Sequence, residues 1–176
     1  MSKTFSLRGT FDIADNSLGQ HHSIFDYVSP DRKRAWKIRE AWIFPRDLRA
    51  EIGTGDGQYC IQAHLSTDTW TLSDWPEIVD VADNRQCGWS TSQYVLRAAA
   101  TDFIAPANGI PDCGAFVLDP DTIVVKELYI AAAVASESTT SPTRSWNYVV
   151  VLEEMKITPA QSILQQVKGI GQDVSS

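Results

Sequence analysis

The sequence predicts an all-β fold of about eight strands, closed by one short carboxy-terminal helix. Three observations predict it. Apolar and polar residues alternate along most of the chain, clusters of Gly, Pro, Asn and Asp separate the alternating runs, and only one segment carries helix start and stop signals. The chain has 176 residues, which fits one domain spanning 1–176. Six Trp, six Phe and five Tyr spread along its length exclude intrinsic disorder.

The elements follow in order. Phe5, Leu7, Gly9, Phe11 and Ile13 alternate with polar neighbours, as a half-buried strand requires. In 34–44, Trp36, Ile38 and Trp42 are expected on one face and Lys37 and Arg39, with Lys33 just before the run, on the other. Tyr59, Ile61, Ala63 and Leu65 alternate again, and shorter candidates lie at 77–81, 92–96 and 115–118. Two long β-branched stretches, 122–134 and 146–157, complete the set. The connectors at 53–57, 106–112 and 136–145 are rich in turn residues.

The helix is expected over 158–168. Thr158 and Gln161 form a T-x-x-Q capping box, Pro159 suits the first helical position, and Gly169 marks the stop. Ile163, Leu164 and Val167 make a narrow apolar stripe, for which the chain's own sheet is the expected partner and a neighbouring subunit the alternative. Many strands joined by long irregular loops point to a sandwich, a jelly roll or a barrel, and the loop lengths favour jelly-roll connections over a meander.

Little in the sequence points to chemistry. Adjacent His21 and His22 cannot face the same way on a strand and so chelate poorly, while His64 is expected to be solvent-facing or hydrogen-bonded. Cys60, Cys87 and Cys113 are an odd set without C-x-x-C spacing, which speaks against a disulfide framework or a zinc site, and Cys60 reads as a buried free thiol. The glycines of 53–57 lack the Lys-Ser/Thr of a phosphate loop, and the acidic fragments Asp12…Asp15 and Asp119-Pro120-Asp121 read as turn residues rather than a calcium loop. No nucleophile elbow is present. The expectation is a non-enzymatic protein without metal or cofactor. With no apolar leader and no apolar run long enough to span a bilayer, it is also expected in a reducing cytoplasm, away from membranes.

Charge is the informative polar feature. Net charge is −7, yet residues 1–50 hold nine basic and six acidic residues, so the rest of the chain carries −10. Arg32, Lys33, Arg34, Lys37 and Arg39 lead a basic segment that extends to Arg46 and Arg49, and they are candidate nucleic-acid contacts, with Trp36 or Trp42 able to stack on a base if exposed. A solvated strand face paired with acidic neighbours is the competing account.

The final third carries a resemblance. The stretch DPDTIVVKELYI at 119–130, a variable polar loop, the strand NYVVVLEEMKI at 147–157 and a short terminal helix resemble the ending of single-jelly-roll capsid proteins of small icosahedral viruses, particularly small DNA viruses from environmental samples. The resemblance covers roughly the last 55 residues. It implies two facing four-stranded sheets, a homo-oligomeric shell assembled in the host cytoplasm or nucleus, and packaged nucleic acid as partner. Trp70 and Trp75, with Ile163, Leu164 and Val167, are the candidate subunit-interface residues. Capsid proteins of this kind often begin with an Arg/Lys-dense arm, whereas 1–31 holds only Lys3 and Arg8. A minor or decorating virion role therefore stays open, as does a carbohydrate- or receptor-binding module of a phage fibre, with Trp70, Trp75 and Trp89 on sugar rings.

Overall fold

Alternation of this kind gives strands one dry and one wet face, and such strands must pair and stack to bury the dry one. A computed structural model of the chain describes residues 3–27, 29–46, 57–97, 103–106, 114–136 and 143–173. Among these, ten strands run in the order β1 (Thr4–Ala14), β2 (Ser17–Leu18), β3 (His22–Asp26), β4 (Arg34–Pro45), β5 (Gly57–Ser66), β6 (Gln86–Arg97), β7 (Phe103–Pro106), β8 (Val117–Leu118), β9 (Glu127–Ser136) and β10 (Thr143–Lys156). One 3₁₀ turn (Trp75–Glu77) precedes β6, and helix α1 (Pro159–Asp173) follows β10.

Every pairing is antiparallel. A three-stranded sheet has the order β1-β10-β4, and a larger sheet the order β2-β9-β5-β6-β7, with β3 also on β9 and β8 also on β6. The segment 115–124 closes the side between them: it runs antiparallel along β4 through bridges Trp42–Ala115 and Trp36–Val124, while β8 within it pairs with β6. Gly114 starts this segment at φ +93°, and a Cβ there would sit 1.9 Å from the Ile43 carbonyl oxygen, so only glycine fits the approach.

The two sheets share one core. Phe11, Ile13, Trp36, Ile38, Ile43, Trp146, Val150 and Leu152 of the small sheet meet Tyr59, Ile61, Leu65, Leu128, Ile130 and Val134 of the large one. Trp146, fully buried, stands edge-on to Tyr59 at 5.9 Å, and Tyr59 stacks on Tyr94 at 5.3 Å. Asp15, just beyond β1, is buried and takes two bonds from Arg144 in β10 (2.6 and 2.7 Å), and the guanidinium lies 4.2 Å over the Tyr59 ring.

Several expectations are corrected. A bulge in β4 opposite Val151/Leu152 puts Trp36, Ile38, Ala41 and Ile43 inward, so Trp42 changes to the outer face and is half-buried there. The candidate strand at 77–81 is instead the end of the 3₁₀ turn and its loop, where Asp74 caps the Trp75 amide and Pro76 starts the turn. Cys60 is half-exposed on the face opposite Tyr59 and Ile61, and Cys87 is the buried thiol; Cys113 lies outside the described residues. The helix does not stop at Gly169 but runs to Asp173, because a glycine costs a helix only about 1 kcal/mol and ends it only by turning left-handed. Its start is as expected: Gln161 N–H donates to Thr158 Oγ1 (3.2 Å) and Thr158 N–H to Gln161 Oε1 (2.9 Å). Among the described residues no helix is long and apolar enough to cross a membrane.

Candidate assembly and nucleic-acid surfaces

The basic segment divides once β4 is paired. Lys37 stands opposite Glu153 of β10 and Arg34 opposite Lys156. Arg34 Nη1 binds Glu154 Oε1 at 2.9 Å, and Arg39 pairs with Glu153. These pairs are half-open to water, so each contributes little to stability. They do spend two of the five expected cations on the chain's own carboxylates. Arg32 and Lys33 lie in the turn before β4, where Asp31 accepts from the Ser29 hydroxyl (2.6 Å) and the Lys33 amide (3.1 Å). Those bonds, the hydroxyl first, hold the Asp31 carboxyl below its usual range. Arg46 is half-exposed or better beyond β4, and Arg49 lies outside the described residues.

The structure adds two residues that the linear pattern did not single out. A groove of about 530 Å³ at this end of the small sheet is lined by Lys3, Arg34, Lys37, Arg39, Lys156, Met155, Glu153 and Glu154. Five cations face two carboxylates there. Lys3 arrives because its carbonyl accepts from the Glu154 amide (2.8 Å), and Lys156 because it ends β10. The three lysines leave the groove with a positive balance that attracts anions.

The aromatic loop is differently disposed from the expectation. Trp70 is half-buried: its ring stacks on His64 (5.1 Å, 12°), lies 4.4 Å from His21 and sits under the Arg85 guanidinium at 4.1 Å. Trp75 and Trp89 are also half-buried, and Trp89 Nε1 donates to Gln86 Oε1 at 2.8 Å. The Trp70 and Trp89 rings thus have partners within the chain.

The α1 stripe is the opposite case. Its own sheet was the expected partner, yet Ile163, Leu164 and Val167 are 48%, 66% and 53% exposed, while Ser162 beside them is buried. Ser162 thus lies on the inner side of the helix, and the apolar face is turned to water.

One cluster had no signal in the sequence. His64, on the outer face of β5, is fully buried and hydrogen-bonded, and its Nε2 lies 3.1 Å from His21 Nε2. His64 Nδ1 is 2.7 Å from the Ile78 carbonyl, which can only accept, so Nδ1 carries the proton and Nε2 accepts from His21 Nε2–H. Burial, then Arg85, pushes His21 down to about 4; burial, with His21 beside it, pushes His64 down to about 4. Among the described residues no three His, Cys, Asp or Glu side chains converge on a metal-sized site. Asp119 accepts from the Asp121 amide (3.0 Å) and the Thr122 hydroxyl, the turn role expected of it.

No protein-family model matches the chain, and no curated protein matches it.

Proposed function

We propose that this chain is a single-jelly-roll capsid protein, non-enzymatic, that assembles with copies of itself into an icosahedral viral shell. The nested strand pairing is the observation that carries the reading. With β2 and β3 taken as one interrupted strand and 115–124 as another, eight strands fold back first on eighth, second on seventh, third on sixth and fourth on fifth. Pairing in that order supports the jelly-roll reading, in which β7 is an addition at the edge of the fourth–fifth hairpin. The exposed face of Ile163, Leu164 and Val167 supports a role for contacts between copies. Size-exclusion chromatography with negative-stain microscopy tests it: uniform closed shells are expected. A protein that stays monomeric or trimeric at every concentration and binds glycans overturns it in favour of a fibre module, a reading that the occupied Trp70 ring already weakens.

In this reading the lysine groove faces packaged nucleic acid. Changing the groove lysines Lys3, Lys37 and Lys156 to Gln is expected to flatten the salt dependence of single-stranded oligonucleotide binding by about two in log–log slope, without altering shell formation. Changing ion-paired Arg34 and Arg39 instead is expected to do less. An unchanged slope, and an unchanged 260/280 nm absorbance ratio of purified particles, would count against the groove.

A further inference from the structure

The loop 67–85, between β5 and β6, folds back over the outer face of the large sheet without joining any strand. Ile78 at its middle is fully buried and its carbonyl is held by His64; His21 reaches the same point from the break between β2 and β3. Two rings from distant elements thus meet beneath Trp70, where a loop is fastened to a sheet.

We propose that His21 and His64 form an acid-operated clasp, which holds the 67–85 loop on the sheet while both rings are neutral and releases it when both are protonated. This inference stands apart from the capsid reading and does not need it. The geometry makes the second proton decisive. A first proton on His21 leaves the Nε2–H···Nε2 bond intact and is favoured by the hydrogen bond of His21 to the Trp70 backbone, so it does not release the loop. A second, on His64, puts two N–H groups head to head at 3.1 Å, and the bond becomes a repulsion.

The surrounding groups act in both directions: Arg85 opposes a proton on either ring, whereas the Trp70 backbone, Asp68 and Asp83 favour one on His21, and burial outweighs them. Arg85, over Trp70, adds a further cation, and it already holds Asp83 through three side-chain bonds (2.8 to 3.1 Å). Asp68 accepts from the Thr69 amide. From β9, Tyr129 meets His21 edge-on at 6.4 Å, and its hydroxyl donates to Glu127, which also pairs with Lys126. Each nearby carboxylate is therefore engaged before an imidazolium forms. Bonds from Gln86, to the Glu77 carbonyl (2.7 Å) and from the Asp80 amide (3.0 Å), do not titrate and reclose the loop at neutral pH.

The sign follows from burial, which lowers both rings from an ordinary 6.5 to about 4 in the closed form. The open form binds protons more readily, so closure is fully favoured above 6.5 and weakens as pH falls, by about tenfold per pH unit for each histidine.

Hydrogen exchange of the 67–85 amides, corrected for intrinsic rates, would be followed from pH 7.5 to 4.5 in the wild type and in His21→Gln. Long-range ¹H–¹⁵N spectra would report the ring tautomers. Loop opening is expected to rise by up to about a hundredfold per unit below 6.5 in the wild type and about tenfold in His21→Gln, while β5, β6 and β9 stay protected. Constant loop protection, equal slopes in both proteins, or strand exposure in step with the loop would overturn the clasp. So would zinc that raises loop protection at pH 7.5, since the pair would then serve a metal.

Discussion

Replacing Arg144 with Met is expected to lower the free energy of unfolding by about 3–5 kcal/mol, the cost of stranding a buried carboxylate. Asp15 has no accessible side-chain surface and Arg144 only 11%. The guanidinium supplies both of the carboxylate's bonds at 2.6 and 2.7 Å and lies on the Tyr59 ring, so one substitution removes two charge-assisted bonds and a packed plane. Methionine refills part of the volume but gives the carboxylate nothing. Lysine should recover only part of the loss, because it cannot span both oxygens in one plane. The double change Asp15→Leu with Arg144→Met tests the cause. If the loss comes from the unpaired charge, the double variant should be more stable than Arg144→Met alone. Urea midpoints at constant m-value measure all three. A single-variant loss below about 1 kcal/mol would mean that water reaches the pair and screens it.

The strands with one dry and one wet face are the ones legible in the sequence. β1, β4 and β5 begin and end within a few residues of their alternating runs, and β10 lies close to its β-branched stretch. Where that contrast fails, so does the pattern. In β9, Ala131 and Ala133 on the outer face are as buried as Ile130 and Ala132 on the inner one, so the run reads as continuous and its start is placed five residues early. In β6, the inward residues Ser90 and Ser92 are polar and buried, which hides the first half of the strand. β2 and β3 are separated by only three residues and escape notice. At 77–81, Ile78 and its apolar neighbours mimic a strand, but the capping aspartate and Pro76 decide for a turn.

The candidate surfaces divide in the same way. Basic residues close in sequence could be seen, but their partners Glu153 and Glu154 lie 114 and 120 positions away, so the ion pairs that use up Arg39 and Arg34 could not. Lys3 and Lys156 enter the groove only once β1 and β4 flank β10. His21 and His64 are 43 residues apart with no spacing motif, and pairing of β3 and β5 with the same strand, β9, brings them together. The α1 stripe shows the reverse limit. Its amphipathicity is plain in the sequence, but whether it faces inward depends on Ser162, a small polar residue that turns out to be the buried one.

That outward stripe makes Ile163→Gln, Leu164→Gln and Val167→Gln together the sharpest test of assembly. The three positions are one and four residues apart and share one face of α1. Because they are about half-exposed in the protomer, their loss removes little internal packing. Far-UV circular dichroism and the melting temperature should therefore stay close to those of the parent. Between copies the same side chains would be buried. Losing three half-exposed aliphatic groups from a contact weakens it by about 4 kcal/mol, roughly a thousandfold in affinity. A closed shell repeats its contacts, so a loss of that size at each should abolish assembly rather than slow it. Unassembled, folded protomer by sedimentation velocity is the expected result. Shells that form as before from the triple variant would free α1 from any part in assembly. The contacts would then have to come from other exposed apolar side chains, of which Val117 on β8 and Phe44 on β4 are candidates.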